Sequence, residues 1–268
     1  NGNWSLINRL PLTLSELGIP VLSGKGDFIL TDERQTLNNM QVQLMNGGSL
    51  FGAGAFANRQ GLIDVQVQDY NLKTIHPKLL NTAVDGAVKI TLNSAGQRYD
   101  GQLAQSGAVN MRIDAGVLMG DGVIDIQTAK ISGLGNAQLA LVGKIQMQET
   151  MPFEGKLIAQ QFNLRDLGDF PSSQLAGAFN VDGDLKPNFK LNLQGELQQS
   201  RWANANAQGQ VDVTYEMPDK VEARQFDVTI GENRFQAKGA LGRPQDRLNL
   251  NISAPNLAQL QFGFAGSL

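Results

Sequence analysis

The 268 residues carry a net charge of −3, with 18% charged residues, 6% aromatics and 30 glycines. Lys and Arg are scattered rather than striped, which argues against a phosphate-backbone surface and so against nucleic-acid binding. Cysteine is absent, which excludes disulfides and thiolate metal sites, and no apolar run approaches the roughly 18 residues of a membrane helix.

Along the chain the dominant signal is period-2 alternation, the mark of strands with one apolar face. Leu10, Leu12 and Leu14 alternate first, and Ser15-Glu16-Leu17-Gly18 reads as one helical turn or a bend. Gly24 and Gly26 lead into Phe28 and Leu30. Met40, Val42 and Leu44 then share a face, Asn46-Gly47-Gly48 makes a tight turn, and Leu50 begins the return strand. In Ile63–Leu92, Val65 and Val67 alternate with Gln66 and Gln68. An Asn71-Leu72 pair, a connection to Leu80 and a Gly86-led strand with Val88, Ile90 and Leu92 complete that unit.

Asp100-Gly101 and Asp121-Gly122 read as turns around Met111 and Ile113, and Ile124 and Ile126 follow. Leu139 and Leu141 precede Gly143, and Leu157 precedes a second pair, Asn163-Leu164. Gly177 introduces Phe179 and Val181, and Asp182-Gly183 and Lys186-Pro187-Asn188 read as turns. Leu191 and Leu193 alternate, then Val211, Val213 and Tyr215, then Phe226, Val228 and Ile230. A turn at Gly231-Glu232-Asn233 leads on to Leu248, Leu250, Ile252 and a third pair, Asn256-Leu257.

The three Asn-Leu pairs recur 92 and 93 residues apart, and the glycines that follow them, Gly86, Gly177 and Gly266, 91 and 89 apart. Such a period signals repeat architecture, with approximate repeats 1–95, 96–188 and 189–268 in one segment. Superposed on Asn-Leu, Val65, Leu157 and Leu250 fall in one column, and Val67, Ala159 and Ile252 in the next but one. A one-residue slip would invert every face, so this agreement carries weight. Helical periodicity is absent, and the chain reads as all-β. Turn signals every 8–12 residues imply on the order of 25 strands. The absence of Pro/Gly/Ser linkers favours one elongated multi-stranded sheet over a row of separate sandwiches. Three Tyr and two Trp are too few for the aromatic girdles of a membrane barrel. Because it opens at Asn1 and closes in mid-pattern at Gly266-Ser267-Leu268, the chain reads as an internal piece of a longer polypeptide.

Isolated motifs have plainer readings. His76 is the single histidine, so a zinc site or a Ser-His-Asp triad lacks ordinary partners and the residue reads as a loop position. Gly52-Ala53-Gly54 and Gly24-Lys25-Gly26 do not complete a dinucleotide fingerprint, because Ala57 and Ile29 occupy the third glycine position. Asp182-Gly183-Asp184 has no ligand series for calcium. The seven Met residues are read as mostly strand-borne packing or compliant lipid contacts. No cofactor, metal or catalytic residue is expected.

The apolar-x-apolar-x-x-apolar-Asn-Leu unit followed by a Gly-led strand resembles the TamB family of AsmA-like proteins. The resemblance is clearest at Gly231-Glu232-Asn233-Arg234-Phe235-Gln236-Ala237-Lys238-Gly239-Ala240-Leu241-Gly242, then Leu248–Ile252 and Ala254-Pro255-Asn256-Leu257. Leu197-Gln198-Gln199-Ser200-Arg201-Trp202 and Gly209 share it. It covers most of the chain and is strongest over about residues 155–268. The resemblance implies a curled, taco-like sheet with an apolar interior, in a Gram-negative periplasm, in a parent protein anchored in the inner membrane. It further implies the outer-membrane barrel TamA as partner, phospholipid transport between the membranes, and support of outer-membrane protein assembly.

The residues expected to line that groove are Val42, Leu44, Val65, Val67, Val88, Ile90, Ile124, Ile126, Leu139, Leu141, Leu157, Phe179, Val181, Leu191, Leu193, Val211, Val213, Leu248, Leu250 and Ile252. Their expected ligand is phospholipid acyl chains. Each buried CH₂ is worth about 0.8 kcal/mol, so a lipid with some 30 methylenes needs roughly 20–25 kcal/mol of continuous cover. A dry core is the plain alternative for these columns. A structural module that pairs client β-strands along a sheet edge, without conducting lipid, is the alternative for function.

Overall fold

β-branched and aromatic residues alternating with Gln, Asn and Asp favour a pleated sheet with one apolar face, and that is what the chain forms. The computed structural model describes residues 1–11, 20–75, 77, 79–105, 110–133, 136–263 and 266–268. Among them are seventeen strands and only short 3-10 turns. The chain divides into two compact units: unit 1 is Asn1–Asp121, Gln127–Ile131 and Asp166–Asp169, and unit 2 is Gly122–Ile126, Ser132–Arg165 and Phe170–Leu268.

Unit 1 is an antiparallel meander of β1 (Gly2–Ile7), β2 (Val21–Leu30), β3 (Gln35–Leu44), β4 (Ser49–Ala57), β5 (Gln60–Tyr70), β6 (Val84–Asn93), β7 (Gly96–Gln105) and β8 (Met111–Gly120). Residues of β9 (Val123–Ser132) contribute to both units. Unit 2 runs through β10 (Gln138–Gln146), β11 (Pro152–Phe162), β12 (Ser173–Asp184), β13 (Lys190–Trp202), β14 (Ala205–Glu216), β15 (Lys220–Ile230), β16 (Asn233–Leu241) and β17 (Leu248–Ser253). Among the described residues no pairing joins β1 to β8 or β10 to β17, so neither meander closes into a barrel.

The all-β reading holds, but the expected number of strands was too high. Strands of 9–13 residues are the rule here, and several glycines that read as turns lie inside them. Asp100-Gly101 is within β7 and Asp182-Gly183 within β12, where both pair in full register. Asp121-Gly122 is a true turn, with φ of 50° and 73°, and so is Asn58-Arg59, with φ of 51° and 62°. Positive φ at both central residues suits a two-residue hairpin, because it matches the twist of the strands it joins.

Register slips by one residue in the middle of β3 and near the ends of β5, β11 and β13, where Asn39, Asp69, Gln161 and Gln199 have φ of 50°, 52°, 47° and 50°. These are β-bulges, with two residues opposing one on the next strand. In β5, Gln68 and Asp69 both point out, so that Val67 and Tyr70 both stay on the apolar side. In β11, Gln160 and Gln161 do the same between Ala159 and Phe162.

Burial is concentrated at one set of strand ends in each unit. In unit 1, Leu72, Val84 and Met111 form a cluster with Tyr70, Leu79, Leu103, Ile113, Ile131 and Leu167 against it. In unit 2 the corresponding ends hold Phe162 at 1% exposure, with Ala159, Ala207 and Leu260 also buried. We call these ends the capped rim. At the opposite rim Leu30, Leu241, Met147 and Met217 are exposed.

Candidate functional site

The cross-strand register turns the alternating residues into columns on one face. In unit 2 one column reads Leu141, Leu157, Phe179, Gly195, Val211, Phe226, Ala237 and Leu250, one residue from each of eight strands. A second passes through Gly143, Gly155, Val181, Leu193, Val213, Ala223, Gly239 and Leu248. A third holds Leu139, Ala159, Gly177, Leu197, Gly209, Val228, Phe235 and Ile252, and a fourth includes Leu191, Tyr215 and Val221. No charged residue interrupts these columns.

Unit 1 is built in the same way. Met40, Gly52, Val65, Val88, Gly101 and Ala115 form one column, and Gly24, Val42, Leu50, Val67, Gly86, Leu103 and Ile113 the next. A third carries Phe28, Leu37, Gly54, Ile63, Ile90, Tyr99 and Val117.

The faces are only partly covered. Val65, Val67, Leu44 and Ala159 are buried, but most column residues are half-exposed and Leu250 is 62% exposed. The accessible surface is 16320 Å². A compact monomer of 28.9 kDa would expose about 11,400 Å², and two separate compact bodies of half that mass about 13,700 Å² together. Aliphatic columns this exposed forgo part of the ~1.5–3 kcal/mol that full burial of each side chain would supply. Within unit 2 the floor is smoothed at its centre by the Phe179 ring. A Cβ on Gly195 would come within 2.6 Å of that ring, and one on Gly177 within 3.1 Å.

One rim of each face is closed by the repeated Asn-Leu connection. Asn71 and Leu72 are buried, and the Asn71 side chain accepts from the N–H of Lys73 at 3.0 Å while donating to Asn46 O at 2.8 Å. The Leu72 N–H donates to Thr82 Oγ1 at 2.9 Å, and that hydroxyl donates to Tyr70 O at 3.1 Å. Leu72 then packs back over the face near Leu103 and Ile113. In the second copy Asn163 Oδ1 accepts from Arg165 at 3.3 Å and Ser173 at 2.9 Å, and Leu164 N–H donates to Ser173 Oγ at 2.8 Å. In the third, Leu257 N–H donates to the backbone oxygen of Gly266 at 3.0 Å, and Asn256 N–H donates to the fully buried Asn233. This connection, expected to be a plain turn, is therefore a hydrogen-bonded cap, buried in the first copy and half-buried in the other two. His76 and the stretch Leu12–Gly18 lie outside the described residues.

A family model described as TamB, N-terminal domain, matches residues 119–268. The chain belongs to the TamB family. No curated protein and no solved structure matches it. The matched residues of this TamB-family chain contain all of unit 2, including the four columns and the second and third caps.

The opposite face of the TamB-family sheet is polar and cross-braced. Lys156, Asn180, Gln194, Asp212 and Gln225 stand side by side across β11–β15. Arg224 pairs with Asp212 at 2.6 Å, and Arg234 grips Asp227 at 2.9 and 2.6 Å while Gln236 donates to the same carboxylate. The Arg234 hydrogen bonds hold the Asp227 carboxyl below its ordinary range, and Lys220 does the same for Glu216. Among the described residues no cluster of His, Cys, Asp or Glu could hold a metal ion, and no helix is long and apolar enough to cross a membrane.

The placement of the expected groove residues is mostly as their spacing implies. Leu157 and Leu250 share a column, and Ala159 and Ile252 share another. Leu44 is buried at the capped end of β3, and Ile124 and Ile126 are half-buried on β9. Residues outside the expected groove set complete the face, among them Ile63, Leu103, Leu197, Phe226 and Phe235. Methionine is distributed differently from expectation. Only Met40, Met111 and Met119 lie on strands, whereas Met45, Met147, Met151 and Met217 lie in connections.

Proposed function

We propose that this segment gives phospholipid acyl chains a continuous apolar surface in the Gram-negative periplasm, within a parent protein anchored in the inner membrane. In this reading lipid moves between the two membranes along the columns, and the segment supports outer-membrane protein assembly with TamA as the barrel partner. No chemistry on the ligand is involved.

The observation that carries the proposal is the incomplete burial of uninterrupted apolar columns, eight strands long in unit 2. A dry core would seal Leu250, which is 62% exposed, against a second layer. Membership of the TamB family supports the transport and assembly setting. The Phe179-covered glycines give a smooth floor without donors or acceptors, which suits chains that offer only CH₂ groups.

The test places photo-crosslinking residues at Val65, Leu157 and Leu250. Under the proposal each captures phospholipid in cells. Intramolecular capture only would make these columns a dry core and sink the lipid path, whereas crosslinks from edge strands to client β-strands, without lipid capture, would replace it with a strand-pairing module.

A further inference from the structure

Asn46-Gly47 is one of two places where an asparagine precedes a glycine; at the other, Asn1-Gly2, the glycine lies in β1 in register with Phe28. We infer that Asn46 is a site of spontaneous deamidation, and that its isoaspartate product unlatches the first Asn-Leu cap. The inference is independent of any ligand.

The β3–β4 turn is open to the reaction. Asn46 and Gly47 are exposed, with φ of 61° and 84°, and a Cβ built on Gly47 would meet nothing within 4 Å. Among the described residues no hydrogen bond engages the Gly47 N–H or the Asn46 side-chain amide. Ring closure needs the Asn46 backbone to swing out of the left-handed region, and two glycines in succession, Gly47 and Gly48, ease that swing. The Gly47 nitrogen attacks Asn46 Cγ: the N–Cγ bond forms, the amide proton passes to solvent, and the side-chain nitrogen leaves as ammonia. Water then opens the succinimide by breaking the bond between the Gly47 nitrogen and the α-carbonyl carbon of Asn46. The main chain now runs through Cβ and Cγ, one carbon longer, and the former backbone carbonyl becomes a free carboxylate. Asp85-Gly86, Asp100-Gly101 and Asp182-Gly183 can reach the same intermediate, but their glycines are held inside strands paired on both sides.

That carbonyl is the one the first cap uses. The buried Asn71 donates from Nδ2 to Asn46 O at 2.8 Å, and the fully buried Thr74 donates from Oγ1 to Met45 O at 3.1 Å. The turn itself is closed by Leu44 N–H donating to Gly48 O at 3.0 Å. An added chain carbon lengthens the path from Leu44 to Gly48, and a carboxylate swung off the main chain no longer sits where Asn71 reaches. The Asn71 amide then keeps only Asn81 Oδ1 as an acceptor. A buried donor stripped of a partner is costly, so the cap opens to regain water. The second and third Asn-Leu pairs and the turn at Gly231-Glu232-Asn233 contain no asparagine-glycine step, which confines the effect to the first copy.

The test ages the intact chain in mildly alkaline buffer, locates isoaspartate by peptide mapping and enzymatic methylation, and follows the cap by hydrogen exchange of peptides spanning Tyr70–Thr82. Asn46→Gly is the control: it suits the left-handed φ, keeps the backbone carbonyl that Asn71 uses, and has no side chain to deamidate. The expected result is isoaspartate at position 46 severalfold sooner than at any other internal asparagine or aspartate. Protection of Tyr70–Thr82 should fall in step with the modified fraction, and the aged Asn46→Gly chain should keep it. An Asn46 that outlasts other asparagines overturns the site. Isoaspartate at 46 with unchanged protection of Tyr70–Thr82, or equal loss of protection in Asn46→Gly, overturns the link to the cap.

Discussion

Leu164 donates its backbone N–H to the hydroxyl of Ser173 at 2.8 Å, and the same bond joins Leu72 to Thr82 at 2.9 Å in the preceding copy of the motif. The repeated Asn-Leu pair is thus half of a clasp whose other half is a hydroxyl nine or ten residues on. Ser173 is buried, so Ser173→Ala leaves the Leu164 N–H without a partner. That costs about 1–3 kcal/mol. Ser173→Thr keeps the hydroxyl, as Thr82 does in the first copy, and should recover most of the loss. Urea denaturation of the three chains checks this, and equal midpoints for the Ala and Thr variants would dismiss the clasp.

The capped rim and the open columns should answer mutation differently. Phe162→Ala removes a ring that is 1% exposed and should destabilise unit 2 by about 3–5 kcal/mol. Leu250→Ala removes a side chain that is 62% exposed, and its effect on stability should stay within about 0.5 kcal/mol. If Leu250 contacts lipid, the same change lowers phospholipid capture from neighbouring positions in its column. Denaturation and crosslinking on the same two variants separate packing from ligand contact.

How much of this was legible in the sequence depends on what carried each feature. Side-chain alternation is a direct image of pleat geometry, so Leu157, Val181, Leu193 and Val213 were placed on one face without coordinates. Glycine was ambiguous because it serves turns and strand interiors alike. Gly101 and Gly183 follow an Asp, as turn glycines often do, yet both pair across full strands. The bulges were hidden for a related reason. Gln68-Asp69 and Gln160-Gln161 look like lost alternation, although they preserve the face by inserting one residue. Asn233 reads from the sequence only as a turn residue, because the partner that makes it part of the cap, Asn256, lies 23 residues away.

On the polar face, acid should weaken the sheet through Asp227. The Arg234 hydrogen bonds are the main cause of its lowered pKa, with burial working the other way. A carboxyl held below its unfolded value adds stability above about pH 4, and that stability disappears as pH falls through the lowered value. Asp227→Asn removes this contribution and should flatten the loss of stability between about pH 5 and pH 2. Because the pair is partly exposed, salt should shrink the difference. Urea midpoints across that pH range, with and without salt, give the comparison, and parallel curves for the two chains would count against it.

The bulge at Gln161 decides whether Phe162 and Asn163 reach the cap. Its φ of 47° is left-handed, a conformation that costs a residue with a Cβ roughly 1–2 kcal/mol. Gln161→Gly relieves that strain but loses about 0.5–1 kcal/mol to the freer unfolded chain, so the net change should be small. Gln161→Val adds a β-branched side chain to the same backbone and should destabilise by at least 1–2 kcal/mol. Deleting Gln161 is more severe. It shifts β11 by one residue and turns Phe162 to the polar side, while Asn163 loses its place beside Ser173. The deletion should abolish cooperative unfolding of unit 2 and expose Phe162 peptides to protease. A deletion chain that melts like the parent would show that the cap does not depend on the bulge.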